Sequence, residues 1–242
     1  MSDARATAVI AAAGSGQRLG AGGPKAFADL AGRALIEWSL AALDAARSID
    51  AIVIAAPPGH EREAELAAGR AAPRAAVAVI TGGATRADSI ELALDRVNGE
   101  LVAIHDAARP LITADLVDRV VGRLAADPDA DAAIAASPLA DTVKRARAPR
   151  GESGRDAALV ERTLDRDLLW AAQTPQACRA NRLRAAQQRA IEGGWLAEAT
   201  DEASLIECDG GLVLLEEAGE ANLKVTTGAD LATAATLIAA RS

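Results

Sequence analysis

Short apolar runs alternate along the chain with longer segments in which apolar residues recur at helical spacing. The runs have the length of strands that are buried on both faces, and they lie at residues 8–13, 51–56, 77–81, 101–105 and 132–137. The intervening segments predict helices at 34–46, 60–72, 86–97 and 113–126. Strands and helices in this order form right-handed βαβ units, so the pattern predicts an α/β fold with a mainly parallel sheet and helices on both faces.

The pattern breaks between residues 138 and 166, where the chain is polar and charged. The flanks of this segment, 141–145 and 158–163, can pair as a hairpin around a tip rich in proline and glycine. A disordered linker is the alternative interpretation. Beyond it, the pattern predicts helices at 167–172, 180–192 and 228–240 and short strands at 213–216 and 223–225.

A glycine-rich loop with two cations, Arg18 and Lys25, follows the first predicted strand. Glycine lets backbone N–H groups approach an anion closely, and both cations suit phosphate oxygens. The spacing of its glycines excludes the dinucleotide fingerprint, because the third glycine comes one place late, and Pro24-Lys25-Ala26 lacks the serine or threonine of a Walker loop. The loop therefore predicts a polyphosphate site of another class, with an ordinary surface loop as the alternative.

Composition limits the class of partner. The net charge is −8 and the only aromatic side chains of Phe, Trp and Tyr type are one phenylalanine and three tryptophans. Both features argue against nucleic-acid binding. No apolar run reaches membrane-spanning length and the N-terminus lacks signal-peptide features, so we expect a soluble, cytoplasmic protein with no membrane partner.

Lysine is rare in this chain and therefore informative. Of the 26 basic residues only Lys25, Lys144 and Lys224 are lysines. Arginine and lysine are not interchangeable at tight sites, which suggests that lysine stands where a compact ammonium is needed. Chance is the alternative for so small a sample.

Two further loops follow predicted strands, at 82–89 (GGATRADS) and 105–110 (HDAARP). Ligands of parallel sheets bind beyond the carboxyl ends of the strands. Asp88 and Ser89 either cap the following helix or border a nucleobase. Asp106 can hold a divalent cation, and Arg109 either faces a phosphate or pairs with a local carboxylate. We interpret His105 as a hydrogen-bonded core histidine rather than a base.

Seven motifs occur in an order and spacing that resemble one enzyme family. They are AAAGSGQRLGAGGPK, GGATRADS, HDAARP, DTVKR, TLDRDLLWAAQTPQ, TDEAS and NLKVTT. Together they are similar to the 2-C-methyl-D-erythritol 4-phosphate cytidylyltransferase family, from about residue 8 to the terminal helix. HDAARP with the later TPQ and TDEAS is specific, whereas many sugar-nucleotide transferases share the glycine loop.

The resemblance implies a Rossmann-like nucleotidyltransferase fold in a single domain, residues 1–242. It also implies a homodimer, in which residues 138–166 form an arm that clasps the partner subunit and lends residues to its site. The implied reaction joins CTP to 2-C-methyl-D-erythritol 4-phosphate, with Mg2+ or another divalent cation, and yields CDP-methylerythritol and pyrophosphate.

The resemblance also implies site residues, by matching motif positions. The catalytic positions would be Arg18, Lys25, Arg166 and Lys224. The CTP site would be lined by Ala12, Ala13, Gly14, Gly83, Asp88, Ser89 and Ala107. The sugar phosphate would be surrounded by Asp106, Arg109, Thr142, Arg166, Thr174, Thr200 and Lys224. Thr142 and Arg166 would reach across from the partner, and Asp106 would contact Mg2+ that is held mainly by CTP phosphates.

Two positions depart from the family pattern: Ala11 replaces a usual proline and Ala84 a common acidic residue. We expect a looser first turn and altered base contacts without loss of activity. A related cytidylyltransferase for another polyol phosphate, such as ribitol 5-phosphate, is the nearest alternative. A nicotinamide-dependent oxidoreductase is disfavoured by the glycine spacing, and a catalytically silent nucleotide-binding module by the presence of all the cationic motif positions.

Overall fold

A mixed seven-stranded sheet with helices on both faces forms the body of the protein. The computed structural model describes residues 4–14, 23–147, 158–196, 199–219 and 221–241. The sheet strands are β1 (Ala6–Ala11), β4 (Ile49–Ala56), β5 (Ala76–Thr81), β6 (Leu101–Asp106), β7 (Ala132–Pro138), β10 (Trp170–Arg179) and β11 (Val213–Glu217). Their spatial order is β11-β7-β10-β6-β1-β4-β5, and only β10 pairs antiparallel. This arrangement confirms the expected Rossmann-like α/β fold class.

The helices of the described residues are α1 (Leu35–Ala45), α2 (Glu61–Ala71), α3 (Arg86–Leu94), α4 (Ala114–Ala126), α5 (Ala180–Gly193), α6 (Glu202–Cys208) and α7 (Gly228–Ala239). Side chains fix where several of them begin. Thr85 and Asp88 form a reciprocal capping box at the start of α3. Asp201 and Ser204 do the same for α6, with Asp201 as its N-cap. None of these helices is long and apolar enough to cross a membrane.

Small side chains let the helices pack closely on the sheet. Strand β7 (AAIAASP) is buried over Ala132–Ala136, and four of those five residues are alanine. One apolar cluster lies between the sheet and α1, α2 and α4, and a second lies on the opposite face under α3, α5 and α6. A third cluster packs α7 on Leu30, Leu35 and Leu111. The apolar faces predicted from periodicity therefore meet in layers above and below the sheet.

Two predicted elements were wrong. Residues 167–172 lie in a short 3-10 helix (Arg166–Leu168) and the start of β10, not in an α-helix. Leucine and alanine favour a helix locally, but this segment pairs as an extended strand with β7, and the rest of β10 inserts between β6 and β7. Residues 223–225 form no strand, although the backbone N–H of Val225 donates to the carbonyl of Ala108 over 2.8 Å.

Two small hairpins stand apart from the main sheet. One consists of β2 (Asp29–Leu30) and β3 (Arg33–Ala34). The other consists of β8 (Lys144–Arg147) and β9 (Leu159–Thr163), which pair antiparallel. The hairpin interpretation of the 138–166 segment is thus confirmed over the disordered linker for its two flanks. Its predicted tip lies outside the described residues.

Candidate active site

Described residues from the segments that follow β1, β5 and β6 meet at the carboxyl edge of the sheet and form one cleft of about 670 Å³. This edge holds the topological switch point between β1 and β6, where ligands of such sheets bind. A second cavity of about 800 Å³ at the opposite edge contains none of the residues singled out from the sequence. The three strand-end loops that the sequence singled out therefore belong to a single site.

Backbone and small side chains form one wall of the cleft. The members of the predicted CTP site that line it are Ala12, Ala13, Gly14, Gly83, Ser89 and Ala107. The Ser89 hydroxyl accepts the N–H of Gly83 over 3.0 Å and donates to the carbonyl of Thr85. A Cβ atom at Gly83 would lie 2.4 Å from the Cβ of Asp88, so only glycine fits this turn. The departures Ala11 and Ala84 also line the cleft.

Three cationic side chains of the described residues line the same cleft: Lys25, Arg86 and Lys224. Lys25 opens a short 3-10 helix after the glycine loop, whereas Lys224 lies 199 positions later in the chain, just before α7. The fold therefore brings the two predicted lysines to one cavity. Arg18, the remaining cation of the glycine loop, lies outside the described residues.

Asp106 ends β6 inside the cleft and is held by two cations. Lys224 Nζ lies 2.7 Å from Asp106 Oδ2, and Arg86 Nε lies 3.0 Å from Asp106 Oδ1. Burial by itself raises the pKa of Asp106, but the charges of Arg86 and Lys224 outweigh it and hold that pKa well below the usual range of an aspartate. The carboxylate is therefore ionised throughout the physiological pH range.

Arg86 also forms a bidentate ion pair with Glu202, with N···O distances of 2.7 and 2.8 Å. Glu202 begins α6 and is only 2% exposed. Burial lowers the pKa of Arg86, but the two carboxylates raise it more strongly, so the guanidinium stays charged. Sequence reasoning placed both residues in motifs, GGATRADS and TDEAS, without assigning either of them a role. The only feature of the sequence that points to them is that each is a charged residue inside one of the seven motifs.

A buried hydrogen-bonded layer supports Asp106 from below. The Thr174 hydroxyl accepts the backbone N–H of Asp106 over 3.1 Å and contacts His105 Nδ1 over 3.1 Å. The other ring nitrogen, Nε2, donates to the carbonyl of Arg109 over 3.3 Å. Burial lowers the pKa of His105 to about 4, so the ring is neutral at pH 7. His105 is the hydrogen-bonded core histidine that was expected, and Thr174 lies one layer behind the cleft wall.

Arg109 does not lie where it was expected. It is 9% exposed, is absent from the cleft wall, and donates from Nη1 to the carbonyl of Asn222 over 2.8 Å. Within the described residues it forms no ion pair with a carboxylate, so the alternative interpretation, a surface ion pair, is wrong. The turn after β6 directs this side chain beneath the cleft, where it ties the 222–225 segment to the sheet.

Four other predicted residues lie away from the cleft wall. Asp88 closes the capping box of α3, which is the structural alternative proposed for it. Thr200 is exposed, and its N–H donates to the hydroxyl of Ser204. Thr142 and Arg166 are exposed at the base of the hairpin, where the Arg166 guanidinium donates to the carbonyl of Ala140. Within one subunit these side chains do not line the cavity.

The described residues contain no group of three or more histidine, cysteine or acidic side chains that could hold a metal ion. Both carboxylate oxygens of Asp106 are already engaged by cations. These side chains therefore do not form a protein cage for Mg2+, which prefers several oxygen ligands.

Known proteins resemble this chain over almost its whole length. The family model described as 2-C-methyl-D-erythritol 4-phosphate cytidylyltransferase matches residues 6–240. A relative of that name from Synechococcus sp. (strain WH7803) is 40% identical, over 96% of this chain and 99% of the relative. The bifunctional enzyme IspD/IspF of Anaeromyxobacter dehalogenans (strain 2CP-C) is 41% identical over 98% of this chain. The chain spans only 58% of that relative.

The fold agrees with solved structures as well. The crystal structure of 2-C-methyl-D-erythritol 4-phosphate cytidylyltransferase from Thermus thermophilus superposes with a TM-score of 0.74 at 34% identity. That likeness covers 98% of this chain and 100% of the other. This chain therefore shares its fold, over almost its whole length, with a protein of known structure.

Proposed function

The chain belongs to the 2-C-methyl-D-erythritol 4-phosphate cytidylyltransferase family, and we propose that it transfers the cytidylyl group of CTP to 2-C-methyl-D-erythritol 4-phosphate, releasing pyrophosphate. The observation that carries the proposal is the shared cleft, which Lys25 and Lys224 line together with Gly14. The protein has a net negative charge, yet three cationic side chains of the described residues line the cleft in which two phosphorylated molecules would meet. We also propose a cytoplasmic location, because both substrates are charged phosphates that do not cross membranes unaided.

The chemistry needs no protein nucleophile. An oxygen of the acceptor phosphate attacks the α-phosphorus of CTP, a new P–O bond forms, and the bond to the bridging oxygen of the β-phosphate breaks as pyrophosphate leaves. Catalysis of such a transfer rests on positioning and on stabilising charge at the phosphoryl oxygens. This requirement fits a cleft that is lined by cations and an ionised aspartate, with a neutral histidine buried below that aspartate.

We assign Lys25, with Arg18, to the charge that develops on the triphosphate and Lys224 to the acceptor phosphate. Backbone groups at residues 12–14, Gly83 and Ala107 are proposed to bind CTP, with Ser89 holding the Gly83 turn in place. No aromatic side chain lies among the described residues of the cleft wall, so the base would be read by hydrogen bonds and shape.

Mg2+ is proposed to arrive with the triphosphate, as part of the substrate, because the side chains described above do not form a cage for it. Turnover should then stop when EDTA exceeds the metal and return on addition of Mg2+. The protein by itself, titrated with Mg2+ in a calorimeter, should show no saturable heat. A tight site on the protein without nucleotide would contradict this part of the proposal.

We propose that the hairpin forms a homodimer and lends Thr142 and Arg166 to the partner's cleft. Exposed apolar side chains at its base and on β9 support this, with Leu168 83% and Val160 59% exposed. Mixing Arg166→Ala subunits with Lys25→Ala subunits tests it. If the arm acts in trans, mixed dimers contain one intact site, and up to about a quarter of the parental activity returns. If no activity returns, the arm does not act in trans.

The function itself is tested by pyrophosphate release. Four nucleoside triphosphates are crossed with a panel of polyol phosphates that includes 2-C-methyl-D-erythritol 4-phosphate and ribitol 5-phosphate. We expect turnover with CTP and methylerythritol phosphate and with no other pair at a comparable kcat/KM. Preference for ribitol 5-phosphate, or for another nucleotide, would refute the proposed substrates.

A further inference from the structure

Arg86 stands between two buried carboxylates that come from distant parts of the chain. Its Nε donates to Asp106 Oδ1 over 3.0 Å, and its two terminal nitrogens donate to the two oxygens of Glu202. Three of its N–H groups are therefore directed at protein carboxylates. The planar fork of arginine suits such a junction, whereas a lysine ammonium could not satisfy all three oxygens in these directions.

Glu202 is fixed more rigidly than an ordinary surface glutamate. It is the first residue of α6, whose N-terminus is tied to β10 because Gln176 accepts the N–H of Ala203 and donates to the carboxylate of Asp201. A buried ion pair of this kind adds little net stability, since desolvation offsets the attraction. Its position beside the cleft therefore calls for an explanation other than stability.

The consequence of the pair is the orientation of Asp106. With Oδ1 engaged by Arg86, the second oxygen of Asp106 is directed at the ammonium of Lys224, 2.7 Å away. The Lys224 side chain is 44% exposed and lines the cleft, so this contact determines where its charge lies. A continuous series of alternating charges runs from Glu202 through Arg86 and Asp106 to Lys224.

We propose that the Glu202–Arg86 pair is a positioning device, which orients the Asp106 carboxylate so that Lys224 presents its ammonium to the phosphates. The proposal rests on the cytidylyltransferase function proposed above. Arg86 does not itself bind a phosphate in this scheme, because three of its five N–H donors, one on each nitrogen, are engaged by carboxylates. It also keeps Asp106 paired when Lys224 shifts from that carboxylate toward an incoming phosphate, which would otherwise meet an unpaired negative charge.

The test replaces both partners at once, with the double variant R86Q/E202Q. Removing one partner alone would leave a buried charge unpaired and could unfold the protein. A matched control is R70Q/E37Q, since Glu37 is also buried and Arg70 donates to it from two nitrogens at 3.0 and 2.5 Å. That pair joins α2 to α1 and does not line the cleft.

We expect kcat of R86Q/E202Q to fall about 10- to 100-fold, because small misplacements of a catalytic group have effects of this size. KM for CTP should change by less than about threefold, since no contact with CTP is removed. The acidic limb of the kcat profile should move to higher pH, because Asp106 stays buried and loses one of the two cations that favour its ionised form. The charged or titratable groups of the described residues that act on Asp106 include Arg86, Lys224, His105 and Arg109. The control should retain kcat and its profile.

Four results would overturn the proposal. The first is a double variant with kcat within about twofold of the parent and an unmoved acidic limb. The second is an increase of KM for CTP with kcat unchanged, which would make Arg86 a nucleotide ligand. The third is an equal loss of kcat in R70Q/E37Q, which would show that the effect comes from lost stability and not from the position of Asp106. The fourth is a parental kcat in the single variant R86K, which would show that a forked side chain is not needed at this position.

Failure of the proposed function can be told apart from failure of this inference. The comparison uses whichever nucleotide and polyol phosphate the parent turns over, so a different substrate refutes the function and leaves the test intact. If the parent turns over none, carbon-13 NMR of the Asp106 carboxyl group, assigned with D106N, provides the readout. Its titration should move to higher pH in R86Q/E202Q and stay unmoved in the control; an unmoved titration in the double variant would overturn the inference.

Discussion

Replacing Lys224 with alanine separates catalysis from stability in this protein. The substitution removes the ammonium that lies 2.7 Å from Asp106 Oδ2 and lines the cleft, and it leaves the contact between Asp106 and Arg86 in place. A well-placed donor to charge that develops in the transition state contributes about 100- to 1000-fold in kcat, or roughly 3–4 kcal/mol. We therefore expect kcat of Lys224→Ala to fall at least about 100-fold.

The stability change should be much smaller. The Lys224 side chain is 44% exposed, and ion pairs with that degree of solvent contact contribute about 0–1 kcal/mol. For a chain of this length such a loss lowers Tm by about 2–4 °C at most. Steady-state pyrophosphate release and thermal unfolding of the same preparation measure the two quantities. Arg119→Ala is the matched control, because Arg119 is also ion-paired and half-exposed but lies on α4 away from the cleft.

Two results would refute this reasoning. Turnover of Lys224→Ala within about threefold of the parent would remove the ammonium from the chemistry. A fall of Tm by more than about 10 °C would show that the contact with Asp106 holds the fold together, contrary to the small contribution derived from its exposure.

Three further predictions follow from the same geometry. Lys25→Ala should lose at least about 100-fold in kcat with CTP, while its unfolding temperature stays close to that of the parent. Near-parental turnover would show that Lys25 does not stabilise charge on the triphosphate. Gly83→Ala should raise KM for CTP, because its Cβ would lie 2.4 Å from the Cβ of Asp88, whereas Gly122→Ala, with nothing within 4 Å, should leave KM unchanged. Burial lowers the pKa of His105 to about 4, so between about pH 6.5 and 4 the unfolded chain binds a proton that the native protein does not. The free energy of unfolding therefore decreases by about 3 kcal/mol as the pH is lowered from about 6.5 to 4. Urea titrations of His105→Gln should lack this part of the slope, and an unaltered slope would contradict the buried, neutral ring.

Local patterns in the sequence were sufficient for most of the fold. Five apolar runs became strands β1, β4, β5, β6 and β7. Four of them are largely buried, as a continuous apolar stretch predicts, whereas β5 is a partly exposed edge strand. Six of the seven segments predicted as helices became helices within a few residues of their predicted ends, and the segment 167–172 did not. Strand β10 was missed because its sequence, WAAQTPQACR, has neither alternation nor an apolar run. It is a strand because β6 and β7 hydrogen-bond to it from both sides.

The sequence by itself determined which loops carry the chemistry and which family they match, since glycine spacing, cation type and motif order are all local properties. Only the tertiary structure decided how the charged side chains divide between the cleft and the interior. It turned Arg109 inward to the carbonyl of Asn222, and it joined Arg86 to Glu202 across 116 residues. Those partners depend on where α6 and the 222–225 segment pack against β6 and β10. The direction of a charged side chain is set by burial and by the nearest opposite charge, and neither is encoded in the spacing of residues along the chain.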